Sequence, residues 1–249
     1  IRLFGSIGFI ALSLLVGRAL TMRGDRPADL LVPAAVALCV LGYALAARGA
    51  PASARLVERP VARDLADLAR DRRLHLLLAA AALHWAACAP FHLLFGVFVR
   101  DLGLPADVTG AGMGLGVLAE IAVLLLFPRA EARLPLRALF AVAFLGSAVR
   151  WALLSRATGA AAIVSLQLLH GLTFGLFWGS AMKALADLVS PRLRATGQAV
   201  FTAIVFGGGN ALGYALSGLG YDRLGGAGPL FLAAALAELL ALAVVLGTG

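Results

Sequence analysis

Three ionisable side chains stand alone inside strongly apolar stretches of the sequence. Glu120 lies in GVLAEIAVLLLF, Arg150 in FLGSAVRWALL and His170 in LQLLHGLTF. A charged group in such a stretch is costly unless it faces a partner or water, so it marks a candidate functional site. A carboxylate, a guanidinium and an imidazole can neutralise one another, and protonation of Glu120 or His170 would free Arg150 to pair elsewhere. The trio predicts a proton-coupling site, with a static buried ion network as the alternative.

The stretch around His170 carries further polar and aromatic residues at helical spacing. Gln167, His170, Phe174 and Phe177 fall on or near one face of a helix, and Thr173 lies beside them. Because this face combines hydrogen-bonding and aromatic groups, we predict that Gln167, Thr173 and Phe174 contribute to substrate binding.

A second series, His84, Cys88 and His92, recurs at four-residue intervals. Successive members drift about 40° around a helix axis. A metal site needs a third or fourth ligand, which the spacing does not supply. We therefore predict no metal and no cofactor, and we interpret His84 and His92 as polar residues that line a cavity.

Two more polar residues lie in apolar stretches nearer the C-terminus. Glu238 is a lone charge in LAAALAELLALAVV, and we expect it to pack against an interior polar group. Asn210, in a glycine-rich stretch, is a candidate for substrate binding; it could equally form a hydrogen bond between helices. Glycines 110, 112, 114 and 116 predict a face where two helices approach closely.

The elements that must position these residues are membrane helices. Of the 249 residues, 61% are hydrophobic and 14% charged, against roughly 45–50% and 25% in soluble domains. The mean hydropathy is +0.95. No P-loop, G-x-S-x-G or paired metal-ligand motif appears, which argues against a soluble enzyme. Eight stretches are long enough to span a bilayer, at about 3–20, 29–47, 74–99, 109–128, 138–155, 160–186, 199–220 and 229–247.

The charges set an orientation. The net charge of +8 comes mostly from arginines in short loops, which favours membrane topology over nucleic-acid binding. If residues 48–73 are cytoplasmic, that face holds twelve arginines and the other face six. Cytoplasmic loops carry the excess of basic residues, so this orientation is favoured.

Several longer motifs resemble one family. The opening run Ile1–Phe9 (IRLFGSIGF), then LLHGLTFGLFWGSAMKAL, SPRLRATGQAVFTAIVFGGGNALG and YDRLGG are similar to segments of the major facilitator superfamily. The similarity is to the branch that contains lactose permease, the phenylpropionic acid transporter and nucleoside–proton symporters. It implies an all-α polytopic fold in which these eight helices are the fifth to twelfth of twelve. Residues 1–47 would close the N-terminal bundle, 48–73 would form a cytoplasmic linker, and 74–249 would form the C-terminal six-helix bundle.

The resemblance also implies roles for individual residues. Glu120, Arg150 and His170 fall where lactose permease keeps its proton-coupling residues. Arg2 falls at a substrate-binding arginine, and Phe9 at an aromatic ring that stacks on the sugar. This chain departs from lactose permease at two positions. Lactose permease carries a carboxylate one turn after its histidine, where this chain has Thr173, and a basic residue where this chain has Gln167.

The sequence as a whole predicts a secondary active transporter of a bacterial cytoplasmic (inner) membrane that works by alternating access. We expect proton symport of a small organic acid or a similar solute by a lipid-embedded monomer, of which this chain is a C-terminal portion. The alternatives are an efflux carrier of the same fold, a membrane enzyme using His84, His92 and His170, or a membrane scaffold that transports nothing.

Overall fold

The computed structural model describes residues 2–24, 34, 36–42, 44, 48 and 69–247, with side chains from residue 7 onward. Seven long helices lie within these residues. They are α1 (Arg2–Arg23), α2 (Arg72–Asp101), α3 (Ala106–Glu131), α4 (Leu136–Leu154), α5 (Ala160–Leu188), α6 (Pro191–Leu224) and α7 (Ala227–Leu246).

The membrane-spanning pattern predicted from apolar runs is confirmed for six helices. Among the described residues, α2 to α7 are long and apolar enough to cross a bilayer. The predicted span at 3–20 corresponds to α1. Most of the span at 29–47 and of the linker at 48–73 lies outside the described residues, so the division at these positions stays a prediction. α6 begins earlier than predicted because Pro191–Leu193 forms a 3₁₀ turn that leads directly into the helix.

Two helices depart from regular α geometry. Within α5, a 3₁₀ turn at Leu166–Leu169 is followed by a π-helical turn at Gly171–Leu176. Within α6, a second π-helical turn covers Thr202–Gly208. Such turns are rare and are frequent at functional sites, and the one in α5 begins directly after His170.

The helices pack in a chain of neighbours around an aromatic interior. α2 packs against α6 and α7, α7 against α4, α4 against α5, α5 against α3, and α3 against α1. One buried cluster includes Phe140, Phe144 and Phe177, and a second includes Trp151 and Phe231. Gly225 and Gly226 follow the end of α6, and their positive φ angles of 76° and 124° favour glycine and turn the chain into α7.

α1 and α3 approach each other at glycines. A Cβ atom added at Gly110 would lie 2.4 Å from the carbonyl oxygen of Ser13, and one at Gly17 would lie 3.1 Å from that of Ala106. Near the same end, the Asp107 backbone N–H donates to the hydroxyl of Thr21 at 2.8 Å. The predicted close-packing role of the glycines on α3 is therefore confirmed at this contact.

This contact yields a paired prediction on one helix. Gly110→Ala is expected to lower stability by about 1–3 kcal/mol, because the new methyl group overlaps backbone atoms of α1. Gly114→Ala is the control: its Cβ would meet Ile10 at 3.6 Å, an ordinary contact, and alanine favours helix. Thermal unfolding in detergent should show a lower midpoint for Gly110→Ala alone, and equal midpoints would contradict the packing described here.

Candidate functional site

Arg150 of α4 is fully buried and lies at the centre of the site. Its Nη2 donates to Oε1 of Gln167 at 2.5 Å, and its Nη1 lies 3.2 Å from Nδ1 of His170. The guanidinium also lies over the rings of Phe91 and Trp151, 4.4 and 4.3 Å from their centroids. Cation–π contacts and two hydrogen bonds thus hold the charge, and its Nε has no hydrogen-bond partner among the described residues.

The bond to Arg150 fixes the protonation pattern of His170. A guanidinium can only donate, so Nδ1 of His170 must accept and the ring proton must sit on Nε2. That Nε2 points toward Glu120, 3.8 Å from its Oε2. The three residues of the predicted trio therefore lie in a row, Arg150–His170–Glu120, across α4, α5 and α3.

A cavity of about 270 Å³ lies beside this row. Its polar wall is formed by Glu120, His170 and Gln167, and its aromatic wall includes Phe9 of α1 and Phe174 of α5. The other lining residues are Phe91, His92, Gly112, Met113, Gly116 and Val117. Six residues that the sequence singled out for substrate or proton binding thus line one cavity, and Arg150 lies directly behind two of them.

Other predicted site residues lie elsewhere. Thr173 is buried, and its hydroxyl donates to the carbonyl oxygen of Leu169 rather than lining the cavity. Asn210 is half-buried outside the cavity, and its Oδ1 has no hydrogen-bond partner among the described residues. Arg2 begins α1, but its side chain is outside the described residues. Phe177 departs from the predicted face and packs on the ring of His84, because the π-helical turn changes the register of α5.

His84 belongs to a second buried polar group. Its Nδ1 lies 2.7 Å from Oε2 of Glu238, and its Nε2 lies 2.9 Å from the carbonyl oxygen of Thr173. Oε1 of Glu238 accepts from the indole of Trp151 at 3.2 Å. The expectation that Glu238 packs against an interior polar group is confirmed. Sequence reasoning missed the pairing because His84 and Glu238 are 154 positions apart and nothing local links them.

The same group bears on metal binding. Ligand atoms of His84, Cys88 and Glu238 lie within 4.8 Å of one another. Both ring nitrogens of His84 face oxygen partners, however, and Sγ of Cys88 is 3.9 Å from Nε2. A metal ion would have to displace one of these bonds, so hydrogen bonding accounts for the arrangement.

Two curated proteins, both named as transporters, are similar to this chain. It is 27% identical over 225 residues to a protein of Escherichia coli (strain K12) named "Probable 3-phenylpropionic acid transporter", covering 90% of this chain and 59% of that protein. It is 29% identical over 144 residues to "Sugar efflux transporter A" of Dickeya chrysanthemi, covering 57% of this chain and 35% of that protein. No solved structure matches.

The chain therefore spans at most about three-fifths of the length of these curated relatives. A sequence profile of the MFS_1 like family matches residues 1–233. The long apolar helices of the described residues agree with that match. The chain belongs to the MFS_1 like family of the major facilitator superfamily.

Proposed function

We propose that the protein is a proton-coupled secondary transporter that carries a small organic anion, by alternating access, across a bacterial cytoplasmic membrane. We favour symport, in which the substrate and the proton cross the membrane in the same direction. The proposal assigns substrate binding to the cavity beside Arg150 and proton binding to Glu120 and His170.

The observation that carries the proposal is that no carboxylate of the described residues directly contacts the buried guanidinium of Arg150. An arginine side chain stays protonated in proteins, and a buried charge is costly unless it is paired. Among the described residues, no carboxylate oxygen lies within 4.0 Å of this guanidinium. Its hydrogen-bond partners, Gln167 and His170, are neutral groups that also line the cavity. An anionic substrate in the cavity would bring a negative charge next to the two groups that the guanidinium contacts.

The shape and lining of the cavity support a particular class of anion. At about 270 Å³ it falls just below the usual range of ligand pockets, about 300–1,000 Å³, so it suits a small solute. Phe9, Phe91 and Phe174 give it aromatic walls on which a planar ring can pack. A carboxylate with a single aromatic ring matches this lining, with its ring packed on the aromatic walls and its carboxylate toward His170 and Gln167. The named substrate of the Escherichia coli relative is of this class.

The coupling step follows from the proton on His170. With Nδ1 accepting from Arg150, His170 is neutral and its Nε2–H faces Glu120. A proton added at Nδ1 would remove the acceptor and place a positive ring beside the guanidinium. Arg150 would then separate from His170 and pair with another anion, so a change in proton occupancy can shift the balance between two helix arrangements.

We propose that the protein works in lipid as a single chain. Six helices that are long and apolar enough to cross a bilayer support a multi-pass location in lipid, and both named relatives are bacterial. The cavity is built from helices of one chain, which supports a monomer as the working unit. The substrate and protons are the only ligands that the proposal requires; it involves neither a cofactor nor nucleic acid.

The test is uptake by proteoliposomes that contain the protein at its full natural length. Radiolabelled 3-phenylpropionate, a nucleoside and a sugar are each offered with and without an inward proton gradient. We expect gradient-dependent uptake of the aromatic acid. Uptake of none of the three, or uptake indifferent to the gradient, would count against the proposal.

One alternative has an observation of its own. Because a relative named as a sugar efflux transporter matches 57% of the chain, export of a neutral solute is the second candidate. Vesicles preloaded with sugar distinguish the two functions: a proton-driven loss of internal sugar, with no uptake of the acid, would favour efflux.

A further inference from the structure

The buried group formed by His84, Glu238 and Trp151 does not line the cavity, yet it contacts the row of Arg150, His170 and Glu120 through Trp151 and reaches α5 close to His170. His84 contacts the carbonyl oxygen of Thr173, three residues after His170. Trp151 follows Arg150 in α4, and its indole ring lies under the guanidinium. The group therefore ties α2 and α7 to the parts of α4 and α5 that carry the charged site.

The contact at Thr173 falls within the π-helical turn. In a regular α-helix, the backbone N–H of Phe177 would bond to the carbonyl of Thr173, four residues earlier. Here that N–H bonds to the carbonyls of Leu172 and Phe174. His84 donates to the Thr173 carbonyl from outside the helix, at 2.9 Å. It therefore supports the turn at a point where the backbone hydrogen bonds of α5 depart from the α-helical pattern.

The hydrogen bonds of the pair do not depend on which of the two groups holds the proton that they share. The Thr173 carbonyl can only accept, so Nε2 of His84 carries a proton. The remaining proton lies between Nδ1 and Oε2, either on His84 beside a carboxylate or on a neutral Glu238. Both forms are neutral as a pair, and both keep the bonds to Thr173 and Trp151. The pair is thus suited to hold neighbouring elements in place in either form.

We propose that His84 and Glu238 are positioning residues, which hold the π-helical turn of α5 and the indole of Trp151 so that His170 and Arg150 meet at the cavity. The effect on substrate affinity rests on the proposed transport function. The effect on the π-helical turn does not, and the two are measured separately.

The test uses three variants of the full-length protein in detergent. Glu238→Gln retains a donor for Nδ1 and an acceptor for Trp151, so it should preserve the positioning. His84→Phe combined with Glu238→Leu removes every bond of the pair and fills the space with apolar groups, so that the Trp151 indole N–H and the Thr173 carbonyl lose these partners. Leu230→Ala is the control, because it removes a buried apolar side chain of α7 away from the polar group.

Hydrogen–deuterium exchange of the backbone amides at 171–177 reports on the turn directly. The double variant should exchange there about tenfold faster or more than the parent, whereas Glu238→Gln and Leu230→Ala should stay within about twofold. Binding of 3-phenylpropionate should weaken about tenfold in the double variant and be largely preserved in Glu238→Gln.

The positioning role and the proposed substrate fail under different results. Unchanged exchange at 171–177 in the double variant would overturn the positioning role, as would exchange in Glu238→Gln as fast as in the double variant. If the exchange pattern is as expected but the parent binds no 3-phenylpropionate, the proposed substrate is wrong and the positioning role stands. Thermal unfolding of the double variant near that of the parent excludes general loosening as the cause.

Discussion

Glu120→Gln is expected to abolish proton-driven accumulation of the organic acid while leaving exchange of labelled for unlabelled substrate intact. Glutamine keeps the shape and hydrogen-bonding capacity of the side chain, but it cannot take up and release a proton. The amide also mimics the protonated carboxyl, so the cavity should still bind substrate. Uptake into proteoliposomes with an imposed proton gradient should fall to the level measured without the gradient, whereas counterflow should remain.

The matched control for this change lies on the same helix. Glu131→Gln removes a carboxylate at the exposed end of α3, where Glu131 pairs with Lys183 at 3.8 Å. A pair exposed in this way contributes little, so normal accumulation is expected. Undiminished accumulation by Glu120→Gln at normal expression would exclude Glu120 as the coupling group.

Arg150→Gln is expected to lower affinity for the carboxylate form of the substrate by roughly thirtyfold or more. Removing one member of a buried charge pair typically costs about 2–5 kcal/mol, and each 1.4 kcal/mol is tenfold in affinity. The low end applies because Arg150 acts on the carboxylate through Gln167 and His170, which it contacts. Arg150→Lys keeps the charge but loses the planar fork that donates to both Gln167 and His170, so its affinity should fall between those of Arg150→Gln and the parent. Equilibrium binding of 3-phenylpropionate measures both changes.

A neutral ligand separates charge recognition from structural damage. The parent should prefer 3-phenylpropionate to its uncharged amide, and Arg150→Gln should bind the two equally. Arg137→Gln, near the exposed start of the same helix, should retain the preference of the parent. If Arg150→Gln weakens binding of the acid and the amide by the same factor, Arg150 serves structure and not anion recognition.

The helices were predictable because each is a long apolar run bounded by charged residues, prolines or glycines. The ends of α2 and α7 lie within two residues of their predicted positions; charged residues mark the ends of α2, and glycines flank α7. The trio of Glu120, Arg150 and His170 was also predictable, since a lone charge in an apolar span needs a partner.

The local geometry of α5 was not predictable from residue spacing. Helical periodicity correctly groups Gln167, His170 and Phe174, which lie before or within the altered turn. It fails at Phe177, because the π-helical turn shifts the register, and a pattern of residue types carries no signal for an extra residue in one turn. The His84–Glu238 bond escaped for a different reason: tertiary packing alone brings α2 and α7 together.

The π-helical turns at Gly171–Leu176 and Thr202–Gly208 also bear on how this chain is aligned with its relatives. A π turn accommodates about one residue more than an α turn, and one residue corresponds to a rotation of about 100° around the helix. A relative that lacks the turn should therefore align with a one-residue gap near each segment. An ungapped alignment would equate side chains on different helix faces from there onward, so roles carried from one sequence to the other would reach the wrong residues.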